Sequence, residues 1–183
     1  MEFHKIDEET IYQGRIFDLV RARFQLPTGK VHTYDLVKHH GAVVIIPLDN
    51  QDRIWFVRQF RIGAGQTLLE LPAGLLEEEE LAEATAAREV QEEVGMAAGK
   101  LVHLGGFYMV PGYSTEKLEA FLATDLSLSE LPTDEDEFLE KVALPVSEVY
   151  EMVRAGKIED GKTLASLLLA QPYLERRGGI QTL

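Results

Sequence analysis

The sequence predicts an α+β fold, on three observations. The first third is rich in β-branched and aromatic residues broken by turn residues. A central stretch carries apolar residues at helical spacing and ends at a glycine. Strand-like and helical patterns then alternate to the end of the chain.

Taken in order, residues 15–26 and 31–38 read as strands, and Pro27, Thr28, Gly29 and Lys30 between them read as a hairpin turn. A hairpin of this size is marginal alone and must pack on something. Residues 42–48 form a nearly unbroken apolar run, the mark of a strand buried on both faces, and a turn at 49–52 leads into a strand at 53–60. Residues 68–72 give another short strand. After Gly74 an acidic loop runs into a helix over about 82–94, with Gly95 at the left-handed position that ends helices. Residues 100–109, 117–124 and 138–144 return to strand patterns. Two helical stretches close the chain, 147–154 with Ser147 as its cap and about 162–174.

The chain has 183 residues, enough for one full core and a short appendage. It divides on this reading into an N-terminal β element, 1–40, and a main domain, 41–183. No apolar run approaches the length that spans a bilayer, and residues 1–9 are polar and acidic, unlike a signal peptide, so a cytoplasmic location is expected. The absence of cysteine excludes disulfides, thiolate nucleophiles and thiolate zinc sites. A formal net charge of -13 opposes generic binding to nucleic-acid phosphates or to an anionic membrane. It does not oppose an anionic small molecule, provided divalent cations stand between it and the protein.

The informative segment is GLLEEEELAEATAAREVQEEVGM, from Gly74 to Met96. At about 100° per residue, Ala87, Val90 and Val94 form an apolar spine, and Glu89, Glu92 and Glu93 fall on the other side. Glu89 and Glu93 are one turn apart, where like charges repel by roughly 0.2–0.5 kcal/mol, and no lysine stands at the compensating position. Three carboxylates without thiol or imidazole describe an oxygen-rich site suited to magnesium or manganese rather than zinc. The plain alternative is a solvated acidic helix face.

The spacing weighs against that alternative. Gly74, Glu80, Arg88, Glu89, Val90, Glu92, Glu93, Gly95 and Met96 fill every fixed position of a pattern that resembles the Nudix box. The flanking LLELPAG and YMVPGYSTE are similar to the ADP-ribose pyrophosphatase branch of that superfamily, with Pro111 at the branch's marker position. The resemblance implies a Nudix fold, a mixed β-sheet sandwiched between α-helices with an N-terminal antiparallel β element. It also implies water attack on a diphosphate phosphorus, with Mg2+ or Mn2+ as cofactor.

The resemblance makes Glu89 and Glu93 metal ligands, with Glu92 a further ligand or their partner, and adds the backbone carbonyl of Ala73. Arg88 pairs with a box glutamate and fixes its rotamer, while Glu80 does the same or touches a second metal. The general base comes from the acidic loop after the box, with Glu137 first and Glu135 second. Arg61 holds the diphosphate, Glu70 contacts the nucleotide, and Glu116 contacts the terminal ribose or helps bind metal. Phe17 is the candidate for stacking the adenine, against the plainer reading of a core phenylalanine. The N-terminal element resembles the dimerisation element of these enzymes and implies a homodimer with exchanged N-terminal strands. ADP-ribose is the leading substrate. FAD, a nucleotide sugar such as GDP-mannose, and a dinucleoside polyphosphate stay open, as does a non-catalytic nucleotide sensor. Decapping of nucleic acid would need a basic track that the composition lacks.

Overall fold

Gly29, at a φ of +81°, makes the first reversal of the chain possible. Its N–H donates to the Leu26 carbonyl at 2.9 Å, and Leu26 N–H donates to the Lys30 carbonyl at 2.8 Å, closing the expected turn. In the computed structural model, which describes residues 1–77, 79–132 and 138–175, this turn joins β2 (Phe17–Gln25) to β3 (Val31–His39) in antiparallel register, Phe17 opposite His39 and Gln25 opposite Val31. A strand that the sequence reading lacked, β1 (His4–Gln13), pairs antiparallel with β2 and completes a three-stranded sheet of order β1-β2-β3. Irregularities between Lys5 and Asp7 and between Thr10 and Tyr12 break its two-residue alternation at Ile6 and Ile11. That is why a search for strict alternation misses it. Residues 113–115 run beside β3, with Val37 N–H on the Tyr113 carbonyl and Thr115 N–H on the Val37 carbonyl. Met1–Gly41 and Tyr108–Lys117 together form one compact unit, and the remaining described residues form a second.

The second unit is built on β4 (Ala42–Pro47), buried along its whole length as an apolar run of this kind requires. On one side β4 pairs antiparallel with the short β7 (Ala73–Leu75), Val43 opposite Gly74. On the other it pairs parallel with β9 (Lys117–Leu128), which is followed by β8 (Met96–Tyr108), giving the mixed order β7-β4-β9-β8. A separate antiparallel sheet has β5 (Arg53–Arg61) between β6 (Gln66–Glu70) and β10 (Glu140–Pro145). The helix α1 (Ala82–Glu89) continues through a π-helical turn, Val90–Val94, and stops at Gly95 with a φ of +83°. Ala86, Val90 and Val94 pack with Val43, Ile45, Phe121 and Ala123 on one face of the mixed sheet. Strand side chains alternate between faces, so Val44 and Ile46 point to the opposite side. The helix α3 (Gly161–Glu175) also packs on β4, giving the expected helix–sheet–helix layering.

Three local expectations are corrected. The buried line of α1 runs through Ala86 rather than Ala87, which is only half-buried, because the helix lies against Val43 and Ile45 along its Ala86–Val90 edge. Glu89 and Glu93 consequently flank the buried face and are 8% and 3% exposed, instead of facing solvent. The helix α2 (Val146–Arg154) begins one residue before Ser147, with Pro145 at its cap position and no side-chain capping bond.

Candidate active site

Gly74 brings the site together. A β-carbon built on it would lie 1.8 Å from Glu89 Oε1 and 2.6 Å from Oε2, so only glycine lets the α1 carboxylate come down onto strand β7. One residue earlier, Ala73 N–H donates to Glu93 Oε2 at 3.1 Å. Two buried carboxylates from one helix therefore meet the backbone of two adjacent residues in a neighbouring strand. The π-helical turn puts an extra residue between α1 and Gly95, which sets the direction of Glu93 relative to Glu89.

Arg88 ties the remaining box acids. Its Nη1 donates to Glu89 Oε1 at 2.8 Å and to Glu92 Oε2 at 2.7 Å, and its Nε and Nη2 reach Glu80 at 3.4 and 3.3 Å. Burial works against its charge, but Glu80, Glu89 and Glu92 outweigh that and hold the guanidinium well above its ordinary pKa. The same bonds pull the Glu80 carboxyl below the usual carboxylate range. Arg88 thus supplies the positive charge that the Glu89–Glu93 repulsion calls for, from a position next in sequence rather than one turn away. It bonds Glu80, Glu89 and Glu92 at once.

A second cluster lies at the ends of β5 and β6. Arg61 Nε and Nη2 clasp Glu70 in a fork, at 2.8 Å to Oε1 and 2.6 Å to Oε2. Glu70 is 1% exposed, and Lys162 also bonds its Oε2. Burial pushes the Glu70 carboxyl up, but Arg61 and Lys162 more than reverse this and leave it below its ordinary value. Arg61 is raised chiefly by its bonds to Glu70, and Glu93 and Asp160 add to the effect through their fields. Lys162 and Asp160 were not found from the sequence. Lys162 is 92 positions from Glu70, and no local pattern marks such a pairing.

The other candidates lie in the first unit or outside the described residues. Phe17 opens β2 and is 43% exposed, more than a core phenylalanine would be. Pro111 is exposed in the turn where Tyr113 and Ser114 N–H groups donate to the Val110 carbonyl. Glu116 is fixed by its backbone, its N–H on Ser114 Oγ at 3.1 Å and its carbonyl accepting Met109 N–H at 3.2 Å. Glu135 and Glu137 fall outside the described residues. The chain leading to them is tied to the box helix: Ser129 N–H donates to the Gly95 carbonyl at 3.0 Å, Ser129 Oγ to Gln91 Oε1 at 3.0 Å, and Leu131 N–H to the Gln91 carbonyl at 3.3 Å. The chain beyond them enters β10, where Glu140 pairs with Arg58 of β5.

The donor set fits a hard divalent cation. Among the described residues no three carboxylates or imidazoles form a ready-made cage, but magnesium is commonly held by one or two carboxylates, with water and substrate phosphate filling the other positions. Glu89 and Glu93, both nearly buried over the Ala73–Gly74 backbone, are two carboxylates of the kind such a partial site needs. This reading needs the acids of the box at their exact spacing on one helix, a small backbone under them and an arginine beside them.

A sequence profile of the NUDIX domain matches residues 38–167, and the chain belongs to the Nudix family. It is 36% identical over 183 residues to the ADP-ribose pyrophosphatase of Bacillus subtilis (strain 168), covering 99% of this chain and 97% of that protein. Over 170 residues it is 36% identical to the protein of the same name from Mycobacterium tuberculosis (strain ATCC 25618 / H37Rv), covering 91% and 82%. A crystal structure of an ADP compounds hydrolase has the same fold, with a TM-score of 0.85 over 98% of each chain at 24% identity.

Proposed function

We propose that the protein hydrolyses the diphosphate bond of a nucleoside diphosphate derivative, with ADP-ribose as substrate and AMP and ribose 5-phosphate as products. The observation that carries this reading is the descent of the Glu89 and Glu93 carboxylates onto the Ala73–Gly74 backbone. Similarity along nearly the full chain to two proteins named for ADP-ribose supports the choice of substrate.

In the reaction a water oxygen bonds to one phosphorus as that phosphorus releases the bridging oxygen, so two phosphomonoesters leave and the water's protons pass to a base and to solvent. A diphosphate repels such an attack. Glu89, Glu93 and the Ala73 carbonyl, with Glu92 at hand, would hold Mg2+ or Mn2+, which would supply charge neutralisation and a more acidic water. Arg88 and Glu80 keep the glutamates in place. Arg61 spends two of the five N–H donors of a guanidinium on Glu70 and offers the rest to the diphosphate oxygens. Glu70, with both oxygens occupied, serves the nucleotide through Arg61. The base is Glu137, with Glu135 next; the described segments before and after these residues bond to the box helix and pair with β5. Phe17 stacks the adenine, Glu116 meets the terminal ribose, and the N-terminal sheet makes a homodimer by strand exchange.

A substrate panel tests the reading: ADP-ribose, FAD, GDP-mannose and a dinucleoside polyphosphate, each with Mg2+ and with Mn2+. ADP-ribose is expected to have the highest kcat/KM, with oxygen from labelled water in one product. Preference for another member replaces the substrate, and no label in either product refutes hydrolysis.

A further inference from the structure

The Glu70 carboxylate is almost wholly withdrawn from solvent, yet it faces two cations. Arg61 takes both of its oxygens, and Lys162 shares Oε2 with Arg61 Nη2. The Lys162 side chain is itself only 12% exposed, and its other partner is Asp160 Oδ2 at 3.0 Å. That oxygen also accepts Thr163 N–H at 3.0 Å and Thr163 Oγ1–H at 2.6 Å. Leu71 N–H, next along the chain from Glu70, donates to Thr163 Oγ1 at 2.8 Å. The carboxylate and the backbone that carries it are thus both pinned to the first turn of α3. Burying so many charges costs several kcal/mol per ion before pairing returns it, and well-packed apolar residues commonly stabilise a fold as well or better. Stability alone is a poor reason for an ionic chain that ends on the half-exposed Arg61.

We propose that Lys162 is a positioning residue for substrate binding: it neutralises Glu70 so that Arg61 keeps its guanidinium fixed and its charge available to the diphosphate. The inference rests on the role given to Arg61 above. Without Lys162, Glu70 has only Arg61 to balance it, and the substrate must compete with a buried carboxylate for the arginine's charge. Arg61 acts on bound substrate and transition state alike, so the loss falls on binding more than on the chemical step.

The test compares wild type, Lys162→Met and Lys162→Arg, each in the native and in the Arg61→Ala background. Two quantities are read: steady-state hydrolysis of ADP-ribose, and calorimetric affinity for imidodiphosphate with Mg2+. Lys162→Met is expected to raise KM and the imidodiphosphate Kd by about tenfold with kcat within about twofold, and Lys162→Arg to restore most of the affinity. In the Arg61→Ala background Lys162→Met should add nothing, because its effect passes through the arginine. Unchanged affinity in Lys162→Met, or a full additional loss in the Arg61→Ala background, overturns the proposal. Should Lys162→Met fail to fold, Lys162→Gln, which keeps a hydrogen-bond donor, takes its place in the same comparison. Wild type that binds imidodiphosphate but leaves ADP-ribose intact overturns the substrate reading alone, since the probe contains no nucleoside.

Discussion

Glu93 is the residue on which charge and shape can be separated most cleanly. Replacing it by glutamine keeps a carbonyl oxygen for the Ala73 N–H and removes one negative charge from the proposed cation site. Glu93→Gln is expected to lower kcat by about a hundredfold or more at saturating Mg2+, because the lost charge stabilisation is worth several kcal/mol, while the melting temperature stays close to wild type. Turnover equal to wild type in this variant would remove Glu93 from the catalytic machinery, whereas a wild type without turnover would favour the sensor reading. Gly74→Ala probes the same place from the other side. Its methyl would stand 1.8 Å from Glu89 Oε1, so the carboxylate must swing away or the helix must lift. Both activity and melting temperature should fall together, in contrast to Glu93→Gln. At this scale the box residues were legible because their chemistry depends on fixed intervals along one helix. Lys162 and Asp160 were not, because their pairing with Glu70 arises only when α3 is packed beside β6.

Among the elements, α3 shows how a local cap and a distant site share one side chain. Asp160 precedes the helix and its Oδ2 accepts the Thr163 N–H, the geometry of an N-cap. The sequence pattern starts this helix one residue later, at about 162, and passes over the cap, since an acidic residue beside Gly161 suggests a turn as readily as a helix start. Asp160→Asn keeps the capping oxygen but weakens the bond to Lys162, so urea unfolding should change by no more than about 1 kcal/mol. The pH dependence follows from Glu70. Its folded pKa lies below the ordinary value of 4.5. The stabilisation it brings is therefore complete above that value and is lost as pH falls from there through the lower folded pKa. As pH falls below 4.5, the melting temperature of wild type should drop more steeply than that of Glu70→Gln, which has no proton to bind. Parallel slopes would mean that other carboxylates dominate the acid limb. The α1 helix gives a similar lesson about sequence patterns. Its extent and its end at Gly95 could be read from periodicity, but which edge is buried depends on where Val43 and Ile45 lie, and the π-helical turn leaves no compositional mark.

At the level of the whole molecule, the three-stranded N-terminal sheet presents a physical problem that the proposed dimer solves. Val20 and Ala22 are its buried apolar residues, few for three strands that must hold together. Meanwhile Phe3, Ile6, Ile11, Tyr12, Phe17 and Val31 are each more than two-fifths exposed, and every residue of β1 is exposed. A long edge strand with apolar neighbours invites pairing with another chain unless it is blunted or covered. The blunting here is partial: the two irregularities bend β1, and Lys5, Glu8 and Lys38 form ion pairs beside it, which are worth little at a surface. In the proposed dimer a second copy of the same sheet would supply the missing cover through a self-complementary two-fold contact. Sedimentation of wild type should therefore give twice the chain mass at micromolar concentration. Ile6→Lys with Ile11→Lys places two charges in that contact and should yield monomers, with the Nudix-box helix and its metal uptake preserved. If exchanged strands also carry Phe17 to the adenine, the monomeric variant should show a raised KM for ADP-ribose and an unaltered affinity for imidodiphosphate. A wild type that sediments as a monomer sinks the exchange, and it would leave the apolar surface of β1 and β2 without a use.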